Sequence, residues 1–212
     1  MPPTGAAVEQ GPPTVVPQVI VRTKDIEQSH VCIGTSGYPQ HHDDRYVAYI
    51  LNTVLGGSMS SRLVQNIREK RGLAYAVFSS LSSYRDAGAL TVYAGCGADQ
   101  VNEVVDLVVE ELRTIKTVPV PEPELRRAKD HLKGSLMLSL ENTASRMSHL
   151  ARQEIYFERY FSLDETLQGV ERVTAADVQR VAGDLFSNGS LAMTVLGPKN
   201  EYAVMRDRLD LS

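Results

Sequence analysis

An arginine and a tyrosine stand seven positions apart in the segment Leu51–Ala76, which reads LNTVLGGSMSSRLVQNIREKRGLAYA. Arg68 falls in the last turn of a predicted helix, and Tyr75 falls early in the strand that follows, with Gly72 at the turn between them. A guanidinium and a phenol both donate hydrogen bonds, and a glycine turn allows the two elements to fold back on each other. The spacing therefore predicts two donors directed at one point, which suits negative charge developing on an oxygen.

Each of these residues also has an ordinary structural explanation. An arginine in the last turn of a helix interacts favourably with the helix dipole, and tyrosine is common in strands. Arg71 lies three residues after Arg68 and nearer to the glycine turn, so we interpret it as a solvated side chain. On the residues alone, the functional and the structural explanations of Arg68 and Tyr75 both stay open.

The elements around this pair alternate between strand and helix patterns. Alternating apolar residues predict that the first two strands form a hairpin through the polar turn at 24–28, and that a second hairpin turns at Arg85–Gly88. A late strand follows a mainly helical second half. Because strands in hairpins precede a block of helices, the predicted fold is α+β, with an antiparallel-rich mixed sheet covered by helices. The predicted strands are Gln18–Thr23, Ser29–Thr35, Ala74–Tyr84, Ala89–Cys96 and Leu191–Leu196.

Capping residues mark the predicted helices. Asp43 or Asp44 is expected to cap a helix that ends at Gly56-Gly57 in a left-handed turn, and Ser58 or Ser60 to cap the helix that carries Arg68. Helices are also predicted over the valine stripe 101–115 after an Asp99 cap, from Pro121 to Leu140, over Ala144–Glu158, and after the capping boxes Ser162-x-x-Glu165 and Thr174-x-x-Asp177.

Composition limits the class of protein. The chain has 212 residues and a formal net charge of −4 without a basic run, which disfavours nucleic-acid binding. No apolar stretch reaches the ~20 residues that a membrane-spanning helix needs, so we expect a soluble chain, periplasmic or cytoplasmic. Residues 1–17 contain five prolines and are interpreted as a linker or tail. Residues 18–212 are interpreted as one domain, and the linker suggests that another part of the protein precedes it.

The residue types that usually bind metals do not form a recognisable site. No His-x-x-Glu-His run occurs, and His41-His42-Asp43-Asp44 fits a solvated turn better than a metal site. His131 and His149 are interpreted as surface residues, and Cys32 and Cys96 as buried free thiols. Gly56-Gly57-Ser58 resembles an anion-binding loop weakly, and a helix–helix corner is the favoured alternative.

Three blocks carry a resemblance to a known family. They are GYPQHHDDRYVAYILNTVLGGSMSSRLVQNIREKRGLAYAVFSS, then DAGALTVYAGC, and finally VTAADVQRVAGDLFSNGSLAMTVLG. These blocks resemble the C-terminal half, the non-zinc-binding "inactive" domain, of the pitrilysin/insulinase/mitochondrial processing peptidase family of zinc metallopeptidases. The resemblance covers nearly the whole chain after the proline-rich segment, and GGSMSSRLVQNIREKRGLAY is its most specific part.

The resemblance implies one half of a clamshell metallopeptidase that closes over an unfolded peptide. In this family the other half holds the catalytic zinc through His-x-x-Glu-His, and the C-terminal half contributes an arginine and a tyrosine to the substrate. Arg68 and Tyr75 match that pattern as catalytic and substrate-binding residues. The implied cofactor is therefore zinc in the complete protein and none in this chain. The implied partners are an N-terminal zinc-binding half or companion subunit and a peptide substrate.

Two functions follow from this resemblance. The chain is either the non-metal half of an active zinc endopeptidase, inactive by itself, or a catalytically silent scaffold subunit of a peptidase-like complex. An intact Arg68 and Tyr75 pair favours the enzyme. An isolated half exposes apolar surface, which makes a homodimer plausible as well.

Overall fold

The computed structural model describes residues 11–199, 202 and 206–212. Its sheet has five strands in the order β1-β5-β2-β4-β3, and only the β1–β5 pair is parallel. The predicted α+β fold with an antiparallel-rich mixed sheet is therefore confirmed. Residues 11–18 contain no helix or strand, and residues 1–10 of the predicted linker lie outside the described residues. The strands are β1 Val19–Thr23, β2 Ser29–Gly37, β3 Ala74–Ser83, β4 Gly88–Cys96 and β5 Ala192–Gly197.

Two helices lie between β2 and β3, and helices make up most of the sequence between β4 and β5. One of them, Val64–Lys70, is π-helical, and a short 3₁₀ helix, Arg206–Leu209, lies near the C-terminus. The α-helices are α1 Arg45–Leu55, α2 Val101–Thr117, α3 Glu122–Ser139, α4 Thr143–Phe157, α5 Leu163–Glu171 and α6 Ala175–Leu185. Within the described residues, no helix combines the length and the apolar character that crossing a membrane requires.

The predicted hairpin between the first two strands is wrong. Strand β5 lies between them, parallel to β1 and antiparallel to β2, with Val195 opposite both Val21 and Val31. Met193 and Val195 of β5 are almost completely buried in this position. Alternation along a strand predicts which side chains point inward, but it does not select the neighbouring strand. The second predicted hairpin, β3–β4, is confirmed.

The helices cover one face of the sheet. Alternate residues of β2 and β4 point into this layer, including Ile33, Leu90 and Val92, which are at most 2% exposed. The valine stripe of α2 packs there as predicted, with Val101, Val104, Val105 and Ile115 fully buried. The core therefore lies between this face of the sheet and the helical layer.

Two predicted helix caps bind other partners. Asp44 occupies the N-cap position of α1 without a side-chain capping bond, and both of its carboxylate oxygens accept from Arg180, at 2.6 and 3.0 Å. This pair lowers the pKa of Asp44. Asp99 pairs with Lys199 and leaves the N-cap of α2 to Gln100. The Arg180 guanidinium gives Asp44 two parallel charge-assisted bonds, which a single capping bond to a backbone amide would not. The two predicted capping boxes, which open α5 and α6, are confirmed.

Candidate functional site at the edge of the sheet

The helix that carries Arg68 is held against the core by apolar side chains. Leu63 and Ile67 are fully buried, and the helix packs against β3, the edge strand of the sheet. The seven residues of this segment are π-helical, a rare conformation that occurs mostly as single turns and often at functional sites. Tight anchoring at Leu63 and Ile67 fixes which residues of the segment face solvent.

The turn between the π-helix and β3 depends on Gly72. Its φ of 65° lies in the left-handed region, where a residue with a Cβ is strained. The amide of Gly72 donates to the carbonyl of Arg68 at 3.1 Å, and the amide of Leu73 donates to that of Ile67 at 3.0 Å. These bonds close the helix and start β3 at Ala74, so the predicted stop at Gly72 is correct.

Arg68 and Tyr75 lie on either side of this turn, and both project into solvent. The side chain of Arg68 is 44% exposed, and its Nε lies 3.6 Å from Oε1 of Glu69, too far for a strong hydrogen bond. Tyr75 is 79% exposed and lies at a register shift between β3 and β4. The turn brings the two segments together, but no hydrogen bond joins the two side chains in the part of the chain that the structure describes.

Polar contacts anchor the inner side of the same helix, and sequence analysis did not identify them. Arg62 forms a two-point ion pair with Glu124 of α3, with both N–O distances at 2.8 Å. Asn66 donates to the carboxylate of Glu111 on α2 at 3.2 Å, and burial raises the pKa of Glu111. These partners are 45 and 62 positions away along the sequence. Their pairing therefore depends on how the helices pack.

Glycine is needed at Gly56 for a different reason from the predicted left-handed turn. Gly56 has a φ of −157°, which is extended backbone and not a left-handed turn. A Cβ at Gly56 would lie 2.5 Å from the amide nitrogen of Ser79, and this amide donates to the carbonyl of Gly56 at 3.1 Å. The glycine therefore allows α1 to approach β3. The predicted serine caps are wrong, because the hydroxyl of Ser58 contacts that of Ser60 and the carbonyl of Thr53, and no side chain caps the helix that carries Arg68.

None of the helices in the described part of the chain covers the second face of the sheet, which carries an aromatic row. His30 Nδ1 lies 2.7 Å from the hydroxyl of Tyr93, and the ring of Phe78 packs 5.1 Å from that of Tyr93. Cys32, opposite Tyr93 on β2, is exposed. The prediction that both thiols are buried is therefore wrong for Cys32 and correct for Cys96. Successive side chains of a strand point to opposite faces, so Cys32 points away from the described helices.

Sequence comparison assigns the chain to a family. A family model described as the peptidase M16 inactive domain matches residues 3–132, more than half of the chain. The chain belongs to the peptidase M16 family. A Bacillus subtilis protein named uncharacterized zinc protease YmxG is 41% identical over 179 residues, which are 84% of this chain and 44% of that protein. The chain thus spans less than half the length of the curated relatives that it matches.

Solved structures agree with this M16 assignment. A conserved protein from Enterococcus faecalis V583 superimposes with a TM-score of 0.80 and 25% identity, over 93% of this chain and 46% of that one. A peptidase M16 inactive domain from Pseudomonas fluorescens gives a TM-score of 0.82 at 20% identity, over 92% of this chain and 47% of that one. The second likeness is evidence for the fold alone.

The described part of this M16 domain does not fit a catalytic zinc. No group of three or more His, Cys, Asp or Glu residues in it is arranged to hold a metal ion. In the His41–Asp44 turn, His42 stacks on Tyr38 with ring centroids 3.9 Å apart, and Asp44 binds Arg180. His149 bonds to Gln153 on α4. We therefore assign no metal ligand among the described residues.

Proposed function

We propose that this chain is the non-metal half of a zinc metalloendopeptidase that cleaves unfolded peptides, and that Arg68 and Tyr75 bind the substrate. The main support is that both side chains project into solvent on either side of one glycine turn of the M16 fold. Zinc, held by a companion half, would supply the activated water of the reaction. The open face of the sheet, with Phe78 and Tyr93, would form a wall of the substrate chamber.

The two side chains have different roles in this proposal. The phenol of Tyr75 donates a hydrogen bond to the oxygen on which negative charge develops during peptide cleavage. Removing one such preorganised donor costs about 3–4 kcal/mol, or 10²–10³-fold in turnover. The planar guanidinium of Arg68 donates to a backbone carbonyl of the bound peptide and so fixes its position. Neither role requires a metal ligand in this chain.

Turnover of an unstructured, fluorogenic peptide by the complete two-half protein tests this function. We expect Tyr75→Phe and Arg68→Ala each to lower kcat by ~10²-fold. Arg71→Ala is the matched control, because Arg71 contacts Asn66 and Glu103 instead, and it is expected to keep wild-type turnover. Wild-type turnover in the first two variants would refute the assigned roles.

The second candidate function, a catalytically silent scaffold, gives a different result in the same experiment. A complete protein whose companion half lacks His-x-x-Glu-His would assemble without hydrolysing the peptide, and substitutions at Arg68 and Tyr75 would then change nothing. Zinc analysis of the 212-residue chain provides an independent check. We expect less than stoichiometric zinc, and one tightly bound zinc per chain would contradict the division of roles between the halves.

A further inference from the structure

A cavity lies on the helical side of the molecule, away from the edge-strand site. It has a volume of about 230 Å³ and lies between α1, α3, α4 and α5. Three of its walls are aromatic side chains of α1 and α4, namely Tyr46, Tyr49 and Phe157, and a fourth is Phe161 from the α4–α5 connection. Ligand sites are typically concave and mainly apolar, with a few placed polar groups.

The aromatic walls surround a guanidinium. Cζ of Arg45 lies 4.5 Å from the ring centroid of Tyr46, 5.1 Å from that of Phe157 and 5.2 Å from that of Phe161. Phe157 and Phe161 pack edge to face, with centroids 5.1 Å apart and planes at 85°. Cation–π contacts on three sides restrict the guanidinium to one position at the cavity wall.

The wall around Phe161 is held by a buried amide. Gln153, 6% exposed, accepts from the amide of Phe161 through Oε1 at 2.9 Å and donates to its carbonyl through Nε2 at 3.3 Å. Since this fixes the orientation of the amide, Nε2 also donates to His149 Nε2, at 2.7 Å. With Nε2 as the acceptor, the other ring nitrogen of His149, Nδ1, is a further donor.

Arg45 has no carboxylate partner among the residues that the structure describes. It is half-buried, and its hydrogen bonds, to the carbonyl of His42 and the hydroxyl of Tyr46, are both long at 3.4 Å. Arg45 is also the first residue of α1, where the helix dipole disfavours a cation. The adjacent Asp44 could neutralise it but binds Arg180 instead. A partly buried charge is normally paired, so an unpaired one at a cavity wall is unusual.

A second cation lies at the rim of the cavity. Arg152, exposed at its rim, forms no ion pair with any described residue. Among the described residues that line the cavity, none is Asp or Glu. The cavity therefore combines an apolar interior with two uncompensated cations.

We propose that this cavity binds a small carboxylate with an apolar body, its carboxylate on Arg45 and Arg152 and its body against the aromatic walls. The volume is below the ~300 Å³ at which typical ligand pockets begin, which fits one ring or branched chain. A free amino acid fits poorly, because its ammonium would meet no acidic group. The same chemistry occurs in a free organic acid and in the C-terminal residue of a peptide.

Titration of the 212-residue chain with 3-phenylpropionate, followed by amide chemical shifts in NMR, tests the proposal. We expect saturable shifts at Tyr49, Gln153 and Phe161, with an affinity at least about tenfold higher than for the neutral 3-phenylpropanol. Acetyl-Gly-Gly-Phe with a free or an amidated carboxyl identifies the source. Binding of the free-carboxyl peptide identifies a peptide C-terminus as ligand, and binding of 3-phenylpropionate alone identifies a free acid.

Three variants separate binding at this cavity from other effects. Arg45→Gln is expected to weaken 3-phenylpropionate about tenfold, and Arg152→Gln, which changes an exposed residue and so preserves folding, to weaken it several-fold. Arg127→Gln is the control, because Arg127 is exposed on α3 and does not line the cavity. Equal affinity for 3-phenylpropionate and 3-phenylpropanol would overturn the proposal, and so would wild-type affinity in both cavity variants. A chain that binds neither 3-phenylpropionate nor acetyl-Gly-Gly-Phe with a free carboxyl would overturn it as well.

Discussion

The ion pair between Arg62 and Glu124 provides the sharpest test of how the candidate site is held. It joins the start of the segment that carries Arg68 to the first turn of α3 through two bonds of 2.8 Å. The side chains are only 14% and 20% exposed. Arg62→Gln removes the positive charge, Glu124→Gln removes the negative charge, and the double variant removes both. Each variant keeps a polar side chain at the changed position.

The expected magnitude follows from this burial. Charges about 4 Å apart attract by about 4 kcal/mol at an effective dielectric of about 20. Breaking a fully buried pair by removing one partner costs about 3–5 kcal/mol. The remaining exposure and the nearby carboxylate of Glu111, which still compensates Arg62, reduce this cost. We therefore expect Glu124→Gln to lower the free energy of unfolding by about 2–3 kcal/mol, and the double-mutant cycle to give a coupling of about 2 kcal/mol.

Urea unfolding at neutral pH measures these values, and thermal unfolding should show a loss of about 5–10 °C for Glu124→Gln. The control cycle uses Arg126 and Glu171, whose ion pair is 53% and 47% exposed, and it should show no measurable coupling. Equal coupling in the two cycles would refute the argument that burial makes the Arg62–Glu124 pair strong. The measured free energies of unfolding would then not support an anchoring role of this ion pair for the π-helix.

Two further predictions concern the backbone and the thiols. Gly56→Ala should lower the free energy of unfolding by about 1–3 kcal/mol, because the new Cβ would meet the amide of Ser79. Gly134→Ala, in open space on α3, should raise it by up to about 1 kcal/mol, and chemical denaturation distinguishes the two. Iodoacetamide should modify Cys32 in the native chain and spare Cys96, which is fully buried and whose pKa burial raises to about 11. Peptide mapping by mass spectrometry identifies the modified thiol, and equal labelling would contradict the burial of Cys96.

Local sequence patterns predicted most of the elements correctly. The capping boxes at Ser162 and Thr174 and the β3–β4 turn involve residues within a few positions of one another. Each of these signals depends on backbone geometry that neighbouring residues determine, so it survives in any tertiary context. The same holds for the stop at Gly72, whose left-handed conformation follows from the missing side chain.

Three of the wrong predictions depend on residues far away in the sequence. Strand β5 lies where the β1–β2 hairpin was predicted, and Arg180 binds the Asp44 carboxylate that was predicted to cap α1. Cys32 is exposed because none of the described helices covers its face of the sheet. Strand β5 pairs with both β1 and β2, Arg180 binds Asp44 at two points, and the described helices pack on the face of the sheet opposite Cys32. Local sequence patterns contain no information about partners that are distant in the sequence.

The sequence by itself determined the family, the order of elements and the identity of Arg68 and Tyr75 as candidate donors, because motifs and periodicity are local properties. The tertiary structure decided which strands pair and that both candidate donors face solvent at the edge of the sheet. It also decided that Arg62, at the start of the helix that carries Arg68, is anchored to Glu124 of α3. It also formed the cavity around Arg45. These features require elements that are distant in sequence to pack together, and only the energetics of the whole core select that arrangement.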